Sequence, residues 1–268
     1  MKAYSNKFYI EVAVSNNLFS FEDRKFKKIV VPSIVEGMIK DLSPGEEYAF
    51  IEIDEEGNEA CCKGLRNIIV QHEGSRDMVI FDNHNHSFYF AYKHFKSGGL
   101  KFDFIHVDQH KDMREPDIYF DEYRNSLFSS FEKFRRDMIN TGTKEEREIE
   151  ANFRSEDKDD IAAFLYTNSV LNVGNFIKPL IKMDIIDNHY CVDSQYSLLE
   201  MDKYDLTRNF VLDLDLDFFS EEMDYIDFSE KIRIIRKLID NASLVLIATS
   251  PYFIEFSKCK AVIDILMN

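Results

Sequence analysis

Three short stretches of this chain concentrate imidazoles and carboxylates at spacings that suit metal chemistry: Asp82-Asn83-His84-Asn85-His86-Ser87, His106-Val107-Asp108-Gln109-His110-Lys111-Asp112 and Asp213-Leu214-Asp215-Leu216-Asp217. In the last, period-2 alternation puts three carboxylates on one face of a strand and leucines on the other. Same-face neighbours then stand roughly 7 Å apart. The flanking Val211, Phe218 and Phe219 mark a buried strand rather than a solvated edge. Like charges that close in a low dielectric raise one another's pKa and destabilise the fold. Bound divalent cations remove the conflict. In the second stretch His110 stands between Asp108 and Asp112, a nitrogen and hard-oxygen donor set suited to Mn, Fe, Zn or Co. In the first, His84 and His86 project to the same side if the chain is extended. A single histidine is more often structural, and a single Asp-x-His-x-Asp can be a charged loop neutralised by Lys111. Together the stretches offer more ligands than one zinc needs. They suit two ions sharing bridging carboxylates around a water that becomes hydroxide at neutral pH.

The elements that must position these residues are legible as apolar runs. Met78–Phe81, Asp103–Val107, Asn209–Leu216 and Ser243–Ala248 read as strands. Phe88–Lys96, Phe120–Ile139, Lys144–Phe153, Asp159–Leu171, Ser229–Asn241 and Tyr252–Met267 read as helices. Strands alternating with helices predict βαβ units and a mostly parallel sheet buried on both sides. Sites in such sheets gather just beyond the carboxyl ends of the strands, where the polar stretches fall. Before Met78 the text mixes β-like runs (Phe8–Val14, Lys28–Val31, Tyr48–Ile53) with one helix, Ser33–Lys40, and turns at Pro44-Gly45 and Glu56-Gly57-Asn58. Residues 1–72 therefore form an N-terminal β-containing segment without a chemical cluster, either part of the same domain as 73–268 or attached to it.

Composition bounds the rest. A hydrophobic share of 45%, with 24 Phe and 13 Tyr in 268 residues, predicts a packed globular protein. The net charge of -16 argues against nonspecific binding to nucleic acid or an anionic membrane. No run approaches the roughly 18–20 apolar residues of a membrane helix, and Met1-Lys2-Ala3-Tyr4-Ser5 lacks a signal-peptide core. Cys61, Cys62, Cys191 and Cys259 have neither disulfide nor zinc spacing, so a reduced, cytoplasmic setting is expected. Homo-oligomerisation is left open.

With these stretches in view, the chain resembles the arginase/deacetylase superfamily, and most closely its small arginase-like family that includes peptide arginases. The resemblance is carried, in order, by Asp82–Ser87, by His106–Asp112 continuing through Met113-Arg114-Glu115-Pro116, by Asn172-Val173-Gly174-Asn175-Phe176-Ile177, by Asp213–Asp217 with Phe218-Phe219, and by Ile247-Ala248-Thr249-Ser250-Pro251-Tyr252-Phe253. It covers about Met78 to Phe253. Each motif is weak alone, but five in order are specific.

The resemblance implies a three-layer αβα fold and two manganese ions. The histidine of the arginase Gly-Gly-Asp-His-Ser segment falls on His86, and the Asp-Ala-His-x-Asp segment falls on Asp108, His110 and Asp112. The later Asp-x-Asp pair falls on Asp213 and Asp215 or on Asp215 and Asp217. The second pair lies nearer the strand's carboxyl end and leaves Asp213 as a supporting group. Asp108 and Asp215 would bridge the ions. The implied reaction is hydroxide attack on a guanidinium carbon, releasing urea from arginine, from an arginine-containing peptide or from a related guanidino compound. Asp112 would be both ligand and orienter of the hydroxide. Where arginases carry a His-Gly loop, this chain reads Asn172-Val173-Gly174-Asn175 without histidine; His84 or His106 would stand in as proton donor or act as a supporting partner. Thr249 and Ser250 occupy the region of the acidic residue that holds the guanidinium in arginases. The alternatives are a metal-dependent amide hydrolase of the deacetylase kind, or a metal- and peptide-binding protein without turnover.

Overall fold

Strands that are apolar on both faces need cover on both, and that requirement organises this protein. The computed structural model describes residues 3–74, 76–141 and 157–268; the helix expected over Lys144–Phe153 lies outside them. The strands are β1 (Phe8–Ile10), β2 (Ile29–Val31), β3 (Ile34–Glu36), β4 (Pro44–Ile53), β5 (Glu59–Leu65), β6 (Ile68–Glu73), β7 (Arg76–Phe81), β8 (Phe102–Val107), β9 (Ile186–Val192), β10 (Phe210–Asp215) and β11 (Leu244–Ala248). The helices are α1 (His86–Gly98), α2 (Phe120–Thr141), α3 (Lys158–Ser169), α4 (Ile177–Lys182), α5 (Gln195–Met201), α6 (Phe228–Asn241) and α7 (Phe256–Leu266).

Seven strands form the central sheet in the order β3-β6-β7-β11-β10-β8-β9. Every neighbouring pair from β7 to β9 is parallel, as is β3 with β6; only β6 and β7 run antiparallel. Period-2 side chains divide the interior in two. Ile80, Val107, Leu212, Leu214 and Ile247 face α6 and α7 through Ile234, Leu238 and Val262. Phe81, Phe104, Val211 and Leu246 face α1, α3 and α4 through Phe88, Tyr166 and Ile177. The protein is thus mixed α/β with helices packed on both sheet faces, compatible with a three-layer αβα arrangement. Among the described residues no helix is long and apolar enough to cross a membrane.

The N-terminal part differs from the sequence expectation. Ser33–Lys40 is not a helix: its β-branched Ile34 and Val35 pair with Ile68 and Ile69 as an edge strand, and a 3-10 turn, Ile39–Asp41, follows. Pro44-Gly45 opens β4 instead of turning. A Cβ on Gly45 would lie 2.8 Å from the Leu65 carbonyl oxygen, so this glycine serves a close strand crossing. Glu56-Gly57-Asn58 does turn between β4 and β5, with the Asn58 amide donating to Asp54 Oδ1 at 2.7 Å. Because β3 and β6 belong to the central sheet, part of residues 1–72 shares one sheet with the strands that carry the polar stretches.

Candidate metal centre

Parallel register aligns the carboxyl ends of four adjacent strands. Phe81 pairs with Ala248, Ala248 with Asp215, and Leu214 with Val107, so the residues that follow β7, β11, β10 and β8 emerge side by side. The three polar stretches meet there. On β10, Asp213 lies opposite His106, and its Oδ2 stands 2.8 Å from His106 Nδ1. Ser87 Oγ, in the first turn of α1, donates to Asp213 Oδ1 at 2.5 Å.

The strand does not continue through Asp217. A 3-10 helix, Leu216–Phe219, begins after Asp215, whose Oδ1 caps it by accepting from the Asp217 amide at 2.9 Å. The turn still delivers Asp217 to the cluster. Its Oδ2 lies 2.9 Å from His110 Nδ1, and its Oδ1 accepts from the Gln109 amide at 3.3 Å. Lys231, buried on α6, donates to the carbonyls of Phe218 at 2.9 Å and Met223 at 2.7 Å, which pins the segment that contains Asp217.

His84 lies among the carboxylates. Its Nδ1 is 3.0 Å from Asp108, 3.1 Å from Asp215 and 3.4 Å from Asp112. Its Nε2 is 2.9 Å from Asp213 Oδ2 but is not aligned to donate, and it has no hydrogen-bond partner. Asp108 Oδ1 accepts from the His110 amide at 2.5 Å. Ser250 Oγ donates to Asp215 Oδ2. Two ligand groups result, each with donor atoms within 4.8 Å of one another: His84, His106 and Asp108, and Asp108, His110 and Asp217. Asp108 belongs to both. Backbone geometry is unusual on both sides of the cluster, with Asp112 at φ 47 and Ser250 at φ 39, a region that short polar side chains tolerate better than most.

The electrostatics are unresolved by protein groups alone. Burial, joined by neighbouring carboxylates, drives the pKa values of Asp215 and Asp217 up, and burial also raises Asp112. Burial pushes Asp108 and Asp213 the same way, but their histidine partners outweigh it, and Asp213 falls to about 2. Burial alone would keep His84 neutral; Asp213 and the other carboxylates raise its pKa well above the ordinary value instead. Among the described residues, the ion pairs of these carboxylates run only to His84, His106 and His110. Mutually repelling carboxylates, a buried His84 Nε2 without an aligned hydrogen bond and a mixed N/O donor set all fit a divalent cation.

Several positions differ from the sequence expectation. His86 is not with the carboxylates: its Nδ1 is 2.9 Å from the Tyr4 hydroxyl, and its ring packs against Phe81. The reason is local. The chain turns after Phe81, with the His86 amide bonded to the Asn83 carbonyl at 3.2 Å, so His84 and His86 no longer share a side. His84 and His106 are buried and do not line the cavity over the cluster, so they brace carboxylates and are badly placed to protonate a leaving group. Asn172 and Asn175 close their own loop: Asn172 Oδ1 accepts from the Gly174 amide and Asn175 Oδ1 from the Asn172 amide. Thr249 lines a separate cavity with Cys61, Cys62 and Cys259.

The cavity over the cluster measures about 410 Å³, within the small-molecule range. Its wall includes Asp108, His110, Asp112, Asp215 and Ser250, and also Arg114, Val173, Gly174 and Phe253, to which sequence reading gave no role. Phe253 lies over His110 with ring centroids 4.7 Å apart. Lys231 left a readable signal, a lysine on the apolar stripe Lys231-Ile234-Ile235-Leu238 of an amphipathic helix. Asn16 left none. Its Nδ2 donates to Asn85 Oδ1 at 2.8 Å and its Oδ1 accepts from the Val173 amide at 2.9 Å, joining the N-terminal part to two loops of the site. Comparison with protein-family models, curated proteins and solved structures finds no match to this chain.

Proposed function

We propose that the protein is a metal-dependent hydrolase of the arginase kind, holding two manganese ions and releasing urea from an arginine side chain or a related guanidino compound. One observation carries the reading: Asp108, Asp112, Asp213, Asp215 and Asp217 meet at the tips of adjacent parallel strands and, among the described residues, have only histidines as ion-pair partners. His84, Asp108, His110, Asp112, Asp215 and Asp217 would hold the ions; Asp108 is common to both ligand groups, and Asp112 and Asp215 approach His84. When bound, such ions supply a nucleophile at neutral pH and polarise the group under attack.

The chain's own residues do the rest. Asp112 lines the cavity, and its carboxylate can take a proton from attacking water and return it to the departing amine. His106 and Ser87 fix Asp213, which stands beside His84; Ser250 fixes Asp215. Phe253 packs its ring beside His110, which keeps 43% of its side chain exposed in the cavity wall.

The test is to purify the protein with manganese and measure urea from arginine, agmatine and arginine-containing peptides. Asp215→Asn should remove both bound manganese and turnover. A variant that keeps both sinks the assignment. Acetate release from acetyl-lysine without urea would favour the deacetylase kind, and metal uptake with neither product a binding protein.

A further inference from the structure

The cavity over the metal centre is bipolar. Asp108, Asp112 and Asp215 give it an anionic part, while Arg114 and Lys111 stand in the same wall. Lys111 has a distant counter-ion, Asp193 at 4.0 Å. The Arg114 guanidinium has none: among the described residues its only hydrogen bond is through its backbone amide, to the Gly174 carbonyl at 3.0 Å. Arg114 is exposed at this cavity, and in a chain with 49 acidic residues against 33 basic ones none of the described acids pairs with it.

The guanidinium is also seated. It lies against the main chain of Gly174, where an added Cβ would come within 3.1 Å of Arg114 Cζ and Nε. Gly174 therefore permits a close approach that a Cβ would open by a few tenths of an ångström. The Arg114 backbone amide is bonded to the carbonyl of the same residue, so the side chain stands beside the loop to which its backbone is tied. A planar fork of N–H donors held at a cavity wall matches a planar carboxylate in bidentate fashion.

We propose that Arg114, beside Gly174, is a carboxylate-binding group of this cavity, so that the ligand carries a free carboxylate besides the group it presents to the metal centre. The inference rests on the reading above for its choice of guanidino ligands, and it sharpens that reading. A free α-carboxylate belongs to free arginine or to a C-terminal arginine, and an arginine inside a peptide lacks it.

Calorimetric titration of the manganese-loaded full chain with arginine, argininamide and agmatine tests this without turnover. Arginine should bind roughly 10- to 100-fold tighter than the other two, the range for charge-assisted hydrogen bonds. Arg114→Gln should erase that preference while keeping the manganese content of the wild type, and Gly174→Ala should reduce it by displacing the guanidinium. Equal affinities in the wild type, a preference that survives Arg114→Gln, or no binding of any of the three overturns the proposal. Urea measured in the same samples separates the two ideas. Urea without a carboxylate preference removes only the subsite, and a carboxylate preference without urea removes only the reaction.

Discussion

At the amino end of β8, Asp103 is buried and amply served. Arg208 donates through Nε at 2.5 Å and Nη2 at 3.0 Å, Asn188 at 2.7 Å and the Tyr204 hydroxyl at 2.8 Å. Burial pushes its pKa up, yet these donors together hold it below the usual carboxylate value. Just beyond the carboxyl end of the same strand, Asp108 shares a buried cluster with four other aspartates, and the pKa values of Asp112, Asp215 and Asp217 rise there. One sheet therefore treats the same side chain in opposite ways. Where only folding is at stake, the chain brings its own cation. At the other rim it supplies imidazoles, and under the proposed function bound cations would bring the remaining positive charge.

The largest effect should come from filling that rim. Manganese at about 100 times its dissociation constant should stabilise the protein by about 2.7 kcal/mol, which raises the melting midpoint by about 5–10 °C. Asp215→Asn should lose both the shift and the metal found by elemental analysis; an unchanged shift would break the contrast between the rims. At the other end, Arg208→Ala should lower stability in denaturant unfolding, because it removes two of the hydrogen bonds that serve the buried Asp103. Its manganese content should match the wild type, and a loss of metal would show that the two ends are not independent.

Lys231→Met sharpens the comparison further. Freed from its two carbonyl contacts, the segment that carries Asp217 should hold metal about 10-fold more weakly, as measured by competition with a chelator. Unchanged affinity would mean that the turn is set by Asp215 alone. The last effect concerns His86 and depends on pH. Burial lowers its pKa to about 3, against an ordinary value of 6.5. As pH falls below about 6.5 the unfolded chain gains a proton that the folded one refuses, so stability declines down to about pH 3. This contributes at most about 1.4 kcal/mol per pH unit. Urea unfolding at pH 7, 6 and 5 should show a shallower decline for His86→Asn, and equal slopes would place a charged imidazole in the folded protein.

β7, β8, β10 and β11 were legible because parallel strands buried on both faces read as unbroken apolar runs. β5, β6 and β9 were not, since Cys61-Cys62-Lys63, Gln71-His72-Glu73 and Asp187-Asn188-His189 interrupt the pattern with polar residues on half-covered strands. At the site, residue types were readable and local turns were not. Period 2 holds through Asp213 and Asp215, then a 3-10 turn carries Asp217 by a different route. The same rule, extended past Phe81, put His84 and His86 on one side, where a tight turn sends them apart. Arg114 and Asn16 matter only through contacts distant in sequence, which no local pattern encodes.

The place of β11 has a further consequence, for synthesis. It follows every other described strand in the chain, yet it sits in the middle of the sheet, between β7 and β10. Until residues 244–248 leave the ribosome, β7 and β10 have no common neighbour, and each exposes an unpaired edge. Ser250, which steadies Asp215, arrives later still. Cation capture should therefore be among the last events of folding, and a nascent chain stalled before Leu244 should be a client for chaperones and still unable to retain manganese.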